Sequence, residues 1–142
     1  MATGFQHLHS YFAYLVLIVL IVVIIYSYMG YSGKKPFTKQ AKQFSLIGLI
    51  FAHIQLVFGL ILYFISTKGI QALSAETMKV SEARLYALEH PLMMIIGIAL
   101  ITIGYMKSKK QSSDAGKYRM IWIYYLIGLI LILLRIPWTD WL

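Results

Sequence analysis

At residues 83–94 the sequence reads Ala-Arg-Leu-Tyr-Ala-Leu-Glu-His-Pro-Leu-Met-Met, which places a histidine at the mouth of an apolar run. The uncharged segment 91–106 that follows His90 is too hydrophobic for anything but a membrane helix or a deeply buried one. A histidine at such a boundary needs a partner for its ring nitrogens.

The composition is typical of an integral membrane protein. Of the 142 residues, 60% are hydrophobic and 13% are charged, whereas soluble domains carry about a quarter charged residues. Cysteine is absent, which excludes disulfides, thiolate metal sites and c-type haem attachment. The first lysine is Lys34, so the first apolar run lacks the basic region of a signal peptide and is predicted to be a retained helix.

Four segments approach the length of about 20 residues that a helix needs to cross a bilayer. They cover residues 8–30, 44–66, about 85–106 and 120–138. The sequence therefore predicts an all-α membrane protein in which residues 1–142 form one domain, a bundle of four transmembrane helices.

The net charge of +8 is concentrated in two of the three connections between these spans. Their basic residues are Lys34, Lys35, Lys39, Lys42, Lys107, Lys109, Lys110, Lys117 and Arg119. The only acid among them is Asp114. The positive-inside rule predicts that both connections are cytoplasmic and that both termini lie outside, in the periplasm of a bacterial inner membrane. The charge is thus a topology signal, and nucleic acid is not an expected partner.

The start of the third helix has two interpretations. Ser81 followed by Glu82 suits an N-cap with an acid in the first turn, and the helix would then run through His90 and kink at Pro91. Alternatively the helix begins at Pro91, with His90 as its cap. Both interpretations place His90 near the outer interface.

His9 and His90 are predicted to lie at one depth, because the first and third spans run in the same direction. Two histidines on different helices at one level are what bis-imidazole haem ligation requires, since iron receives one nitrogen on each face of the macrocycle. Both are therefore candidate metal ligands of a haem b. His7 is the rival of His9, and Met93 or Met94 could replace one histidine. If no haem is bound, His9 and His90 are ordinary histidines at the membrane interface.

Four further residues are candidates for cofactor binding. Arg135, near the outer end of the last span, either pairs with a haem propionate or extends its side chain to water. Gly97 follows His90 at helical spacing, and Gln55 and Gly59 share one face of the second span. The two glycines leave room for a flat ligand or for tight helix packing.

His53 lies too deep to share an iron with the other histidines. It precedes Ser66 by 13 residues, which at 1.5 Å per residue places it roughly 20 Å below the outer end of its helix. Ionisable groups in the middle of a membrane are usually functional. A quinone headgroup or a hydrogen bond within the bundle would account for it.

Three stretches resemble a known family: residues 8–15 (LHSYFAYL), 53–60 (HIQLVFGL) and 89–92 (EHPL). They are similar to the two histidine helices and the Gln-x-x-x-Gly helix of one four-helix half of heme A synthase. The whole chain resembles short bacterial membrane proteins labelled cytochrome b. In the synthase family one half holds a b-type haem between histidines of its first and third helices, near the outer face. The resemblance implies that His9 and His90 are axial ligands and that Gln55 and Gly59 line the neighbouring helix.

The sequence thus predicts a small b-type cytochrome that passes electrons between the quinone pool or a partner complex and an acceptor on the outer side. One alternative is a non-redox structural or assembly subunit of a larger membrane complex. A second is a haem-modifying enzyme related to the synthase, although this chain corresponds to a single half and has no cysteine. Candidate partners are the lipid bilayer, a quinone, a second copy of the chain and a larger respiratory membrane complex.

Overall fold

The computed structural model describes residues 2–141, which are mostly helical and contain no strand. Their helices are α1 (Ala2–Ser32), α2 (Lys39–Ile65), α3 (Ser81–Lys110), α4 (Asp114–Leu134) and the short α5 (Trp138–Trp141). Two 3₁₀ turns, Ile70–Ala72 and Thr77–Lys79, lie between α2 and α3. Among the described residues, α1 to α4 are long and apolar enough to cross a membrane, as the sequence predicts.

Side-chain caps fix where α2 and α4 begin. The Thr38 hydroxyl accepts a hydrogen bond from the Ala41 N–H at 3.2 Å, and the Ser113 hydroxyl accepts one from the Gly116 N–H at 2.9 Å. Each bond satisfies an amide that has no partner within its own helix. The connections between α1 and α2 and between α3 and α4 are short, so the chain reverses within a few residues at each of them.

The four long helices form a ring in which each one packs against two neighbours. α1 contacts α2 and α4, and α3 contacts the same two helices. The core between them is apolar and includes the fully buried Leu20, Ile101 and Ile121. The buried Tyr125 hydroxyl donates to the Ser45 carbonyl at 2.7 Å, which ties α4 to α2. α1 and α3 face each other diagonally, so their side chains can meet at the centre of the bundle.

Two glycines allow α3 and α4 to approach closely. A Cβ at Gly97 would lie 2.9 Å from the Gly128 carbonyl oxygen, and a Cβ at Gly128 would lie 2.6 Å from the Gly97 carbonyl oxygen. Both distances are too short for a side chain, so a larger residue would push the helices apart. Gly97 therefore has the packing role that the sequence allowed, and its part in cofactor binding stays a prediction.

The outward surface of the bundle is apolar. Exposed side chains include Ile18, Val22 and Ile25 on α1, and Ile127 and Ile130 on α4. Lipid hydrocarbon chains would cover such a surface more favourably than water, because exposing so large an apolar area to water costs free energy. The outward surface and the four long apolar helices are consistent with a multi-pass membrane protein.

The third helix begins at Ser81, with Val80 at the capping position, so Ser81 is not the cap that the sequence suggests. Of the two predicted starts, the earlier is the observed one. The helix continues through His90, and its turn Leu85–Glu89 is π-helical, with the His90 N–H bonded to the Leu85 carbonyl.

Proline explains why the helix is irregular at this point. Pro91 has no N–H and cannot bond to the carbonyl of Ala87, four residues earlier. The Tyr63 hydroxyl of α2 donates to that carbonyl instead, at 2.7 Å. Ala87 is fully buried, so without Tyr63 its carbonyl would lie far from water. One residue of α2 thus supports the turn that precedes His90.

The fourth helix ends earlier than the predicted span 120–138. α4 stops at Leu134, and Arg135 already has non-helical torsion angles, φ −127° and ψ 21°. Pro137 is the cause, because proline cannot donate a helical hydrogen bond and disfavours helical torsion angles in the residue before it. The Trp138 indole N–H then donates to the Leu133 carbonyl at 2.9 Å. The predicted end was therefore wrong by about one turn.

The two basic connections lie at one end of the bundle. Tyr118, near the start of α4, donates its hydroxyl hydrogen to the Pro36 carbonyl in the connection between α1 and α2, at 2.8 Å. α1 and α3 both begin at the opposite end. His9 and His90 are near those beginnings, so they are far from the basic connections.

Candidate functional site

His9 of α1 and His90 of α3 meet across the diagonal of the bundle. Their ring centroids are 6.2 Å apart, and the ring planes are inclined at 85°. A metal–imidazole bond is about 2 Å long, so two imidazoles on opposite sides of one metal have centroids roughly 6 Å apart. The observed spacing fits a shared metal. Nearly perpendicular planes are compatible with it, because each ring plane has to contain only its own bond to the metal.

The backbone at the end of α4 fixes the hydrogen-bonding state of His90. Its Nδ1 lies 2.8 Å from the Arg135 carbonyl oxygen, which can only accept a hydrogen bond. Nδ1 therefore carries the hydrogen, and in the neutral ring Nε2 has the free lone pair. Histidines that bind metals usually donate their other N–H to a carbonyl or carboxylate in this way. His90 thus has the hydrogen-bonding arrangement of a metal ligand.

Two residues of α2 hold His9. A Cβ at Gly59 would lie 3.1 Å from Cε1 of the His9 ring, so the imidazole occupies the space that glycine leaves. The Gln55 side-chain N–H donates to the His9 carbonyl at 2.8 Å. These two contacts place the ring relative to α2, and both residues were candidates on sequence grounds.

Two buried polar atoms beside the pair have no hydrogen-bond partner among the described residues. They are Nδ1 of His9 and Oε1 of Gln55. A buried polar atom without a partner costs about 1–3 kcal/mol, and such atoms are rare in native proteins. The indole Nε1 of Trp122, on α4, also lacks a partner, so an atom of this kind is compatible with a bound group but does not by itself mark one.

Charged residues surround the His90 side of the pair. The Glu89 carboxylate is 2.9 Å from Nε of Arg84 and 3.9 Å from Nε of Arg135. Arg135 also donates from Nη1 to the Leu134 carbonyl at 2.9 Å. Two arginines share one carboxylate, so this cluster carries a net positive charge. Both arginine side chains are partly exposed, and neither is enclosed by its partner.

The histidine pair by itself provides two candidate metal ligands. Within residues 2–141, no group of three or more His, Cys, Asp or Glu side chains is arranged to hold a metal ion. A metal site built from protein ligands usually needs three or four. Two imidazoles suffice where another group provides the remaining ligands, as the macrocycle of haem does.

The other candidate ligands lie elsewhere. His7 is exposed and stacks on Tyr11, with ring centroids 6.0 Å apart, on the outside of α1. Met94 packs against the apolar core. His53 is exposed near the middle of α2, and its Nε2 lies 2.9 Å from the Thr102 hydroxyl. His53 thus forms a hydrogen bond within the bundle, one of the two roles that the sequence suggested.

Sequence reasoning missed two residues that shape this site. Tyr63 is not among the residues that the sequence marks as candidates, although its hydroxyl donates to the carbonyl freed by Pro91. Proline after a helical turn was the available signal, because the carbonyl four residues earlier must then find another donor. The second omission is the Arg135 main chain, whose carbonyl holds His90. No residue type encodes that contact.

Fold and site together describe a helical protein, consistent with a multi-pass membrane protein, in which His9 of the first helix and His90 of the third lie side by side. Comparison of this chain with protein-family models, curated proteins and solved structures finds no match.

Proposed function

We propose that this chain is a b-type membrane cytochrome in which His9 and His90 are the axial ligands of one haem. The observation that carries the proposal is the 6.2 Å separation of the two imidazole centroids. That spacing is close to the roughly 6 Å expected for two imidazoles on one metal.

The groups around the pair support the proposal. The hydrogen bond from His90 Nδ1 to the Arg135 carbonyl leaves Nε2 available as the ligand atom. The buried Nδ1 of His9 and Oε1 of Gln55 lack partners among the described residues, as expected where a further polar group belongs. Gly59 provides the space that the His9 ring occupies.

The net positive charge of the neighbouring cluster suits the propionates of a haem. Arg135 shares the Glu89 carboxylate with Arg84, so one positive charge stays uncompensated. An arginine pairs well with a carboxylate because its two N–H groups match the two oxygens. We assign Arg135 to one propionate, with Arg84 as the second cation of the cluster.

The bound haem would supply reversible one-electron transfer. Two histidine ligands leave no open coordination position, so the proposed activity is electron transfer and not oxygen chemistry. His9 and His90 would hold the iron, and the surrounding apolar core would exclude water from it. The proposed role is to pass electrons between a quinone pool or partner complex and an acceptor on the outer side.

The proposed orientation places the histidine end outside and the basic connections in the cytoplasm of a bacterial inner membrane, following the positive-inside rule. The chain has no cysteine, so a single introduced cysteine can report it. In intact spheroplasts, Ser112→Cys should resist a membrane-impermeant maleimide and react only after lysis. Ser74→Cys, between α2 and α3, should react before lysis. The opposite pattern would reverse the orientation.

Haem binding is tested by a reduced-minus-oxidised absorption spectrum and a pyridine haemochrome count on purified protein. We expect sharp b-type bands and about one haem per chain. His9→Ala or His90→Ala should remove most of the haem, whereas His7→Ala and His53→Ala serve as controls and should retain it. Colourless protein would refute the proposal and favour the structural subunit. A modified haem in the extracted pigment would favour the haem-modifying enzyme.

A further inference from the structure

His53 is a polar side chain on a surface that is otherwise apolar. It lies near the middle of α2 (Lys39–Ile65), and it is exposed on the outside of the bundle. Its neighbours one turn away, Ile50 and Val57, are exposed as well. A histidine so far from either end of a long apolar helix needs a reason, because polar side chains facing lipid are costly.

A chain of hydrogen bonds fixes the state of the His53 ring. The Thr102 hydroxyl donates to the Ile98 carbonyl at 2.8 Å, because a carbonyl can only accept. Thr102 therefore accepts from His53 Nε2–H, at 2.9 Å. In the neutral ring, Nδ1 is then the hydrogen-bond acceptor of an exposed side chain.

The geometry excludes several sources of a donor for that acceptor. Hydrocarbon chains have none, and headgroups stay at the interface, about 20 Å from His53 along α2. A symmetric contact between the His53 rings of two copies also fails, because each ring would present Nδ1 to the other. A hydroxylated small molecule that resides within the bilayer would provide such a donor.

We propose that the seam between α2 and α3 at His53 and Thr102 binds a quinol, a hydroxylated ring with an apolar tail. A ring hydroxyl would donate to His53 Nδ1, and the tail would lie against the exposed Val57 and Ile103. The oxidised quinone has carbonyls in place of hydroxyls and cannot donate, so this site favours the reduced form.

The position of His53 along α2 also suits a donor of electrons to the proposed haem. His53 precedes Gly59, which contacts His9, by six residues, or about 9 Å along the helix. Use of the quinol as an electron donor rests on the cytochrome function proposed above. Binding of the quinol does not, because His53 and Thr102 belong to α2 and α3 and not to the histidine pair.

The test uses the full chain in lipid nanodiscs, labelled with ¹⁵N-histidine and kept reduced with excess dithionite. Decylubiquinol is titrated, and the His53 Nδ1 resonance is followed by NMR and assigned by its loss in His53→Leu. We expect this resonance to shift on binding. In a parallel equilibrium-dialysis measurement, His53→Leu should weaken quinol binding about tenfold, the effect of losing one good hydrogen bond. Ile130→Ala, on the exposed surface of α4 away from the α2–α3 seam, is the control and should bind as the unmodified chain does.

Two further measurements test whether quinol binding depends on the haem and on the oxidation state of the ring. His9→Ala, which should lack haem, is expected to bind the quinol unchanged, so failure of the cytochrome proposal would not mimic failure of this one. Decylubiquinone, added to oxidised protein, should bind His53→Leu and the unmodified chain equally. The inference is overturned if the quinol leaves the His53 resonance unmoved, if His53→Leu binds it as tightly as the unmodified chain, or if His53→Leu instead lowers the dimer fraction.

Discussion

Replacing Tyr63 with Phe should destabilise the bundle through a single main-chain atom. The Tyr63 hydroxyl donates to the Ala87 carbonyl at 2.7 Å, and Pro91 cannot provide the alternative helical bond. Ala87 is fully buried, so its carbonyl would lose its side-chain donor with no water at hand. A buried polar group left unsatisfied costs about 1–3 kcal/mol, and we expect a loss of this size in the free energy of unfolding.

The measurement is reversible unfolding in mixed micelles, with Tyr11→Phe as the matched control. Tyr11 is 69% exposed and forms no hydrogen bond through its hydroxyl among the described residues, so its substitution should change stability by less than about 0.5 kcal/mol. The haem content of Tyr63→Phe should be measured in parallel, because the turn that Tyr63 supports leads directly into His90.

A second variant tests the cause and not only the size of this effect. Pro91→Ala restores an N–H four residues after Ala87, so a helical bond can replace the one from Tyr63. Tyr63→Phe should therefore cost less in the Pro91→Ala background than in the unmodified chain, with a coupling of about 1 kcal/mol. Equal costs in the two backgrounds would refute the reasoning, since Tyr63 would then act through something other than the carbonyl freed by proline.

Two further predictions concern helix packing and charge. Gly97→Ala places a Cβ 2.9 Å from the Gly128 carbonyl and should destabilise the fold by about 1–3 kcal/mol in the same unfolding assay, whereas Gly4→Ala, which has no atom within 4 Å of the new Cβ, should not. If haem is bound as proposed, Arg135→Gln should lower its midpoint potential in a redox titration and Glu89→Gln should raise it, because a nearby positive charge disfavours the ferric state. Shifts of the same sign would contradict the assigned electrostatics.

The length of the apolar runs was sufficient to predict the four helices, but not the residues at which they end. The spans predicted at 8–30 and 44–66 lie within α1 and almost within α2, because long uncharged runs leave few alternatives. The fourth predicted span continues to residue 138, whereas Pro137 ends the helical hydrogen bonding and α4 stops at Leu134. Hydropathy counts side chains, whereas the end of a helix depends on backbone donors.

Depth along the helices was enough to anticipate that the rings of His9 and His90 lie near one another; their role as haem ligands stays a prediction. The exact register was not accessible, because it depends on the π-helical turn at Leu85–Glu89. The two roles that the sequence allowed for Gly97 could not be separated in advance, since the spacing of small residues is the same for a flat ligand and for a neighbouring helix. Only the position of Gly128 distinguishes the packing role.

The contact between His90 and the Arg135 carbonyl does not depend on which amino acid stands at position 135. Every amino acid has a main-chain oxygen, so a saturation scan of position 135 would leave this acceptor intact while it replaced the guanidinium. The orientation of the His90 imidazole is thus set by the path of the backbone after α4. It should respond to insertions or deletions near Pro137 far more than to any exchange of side chains at 135.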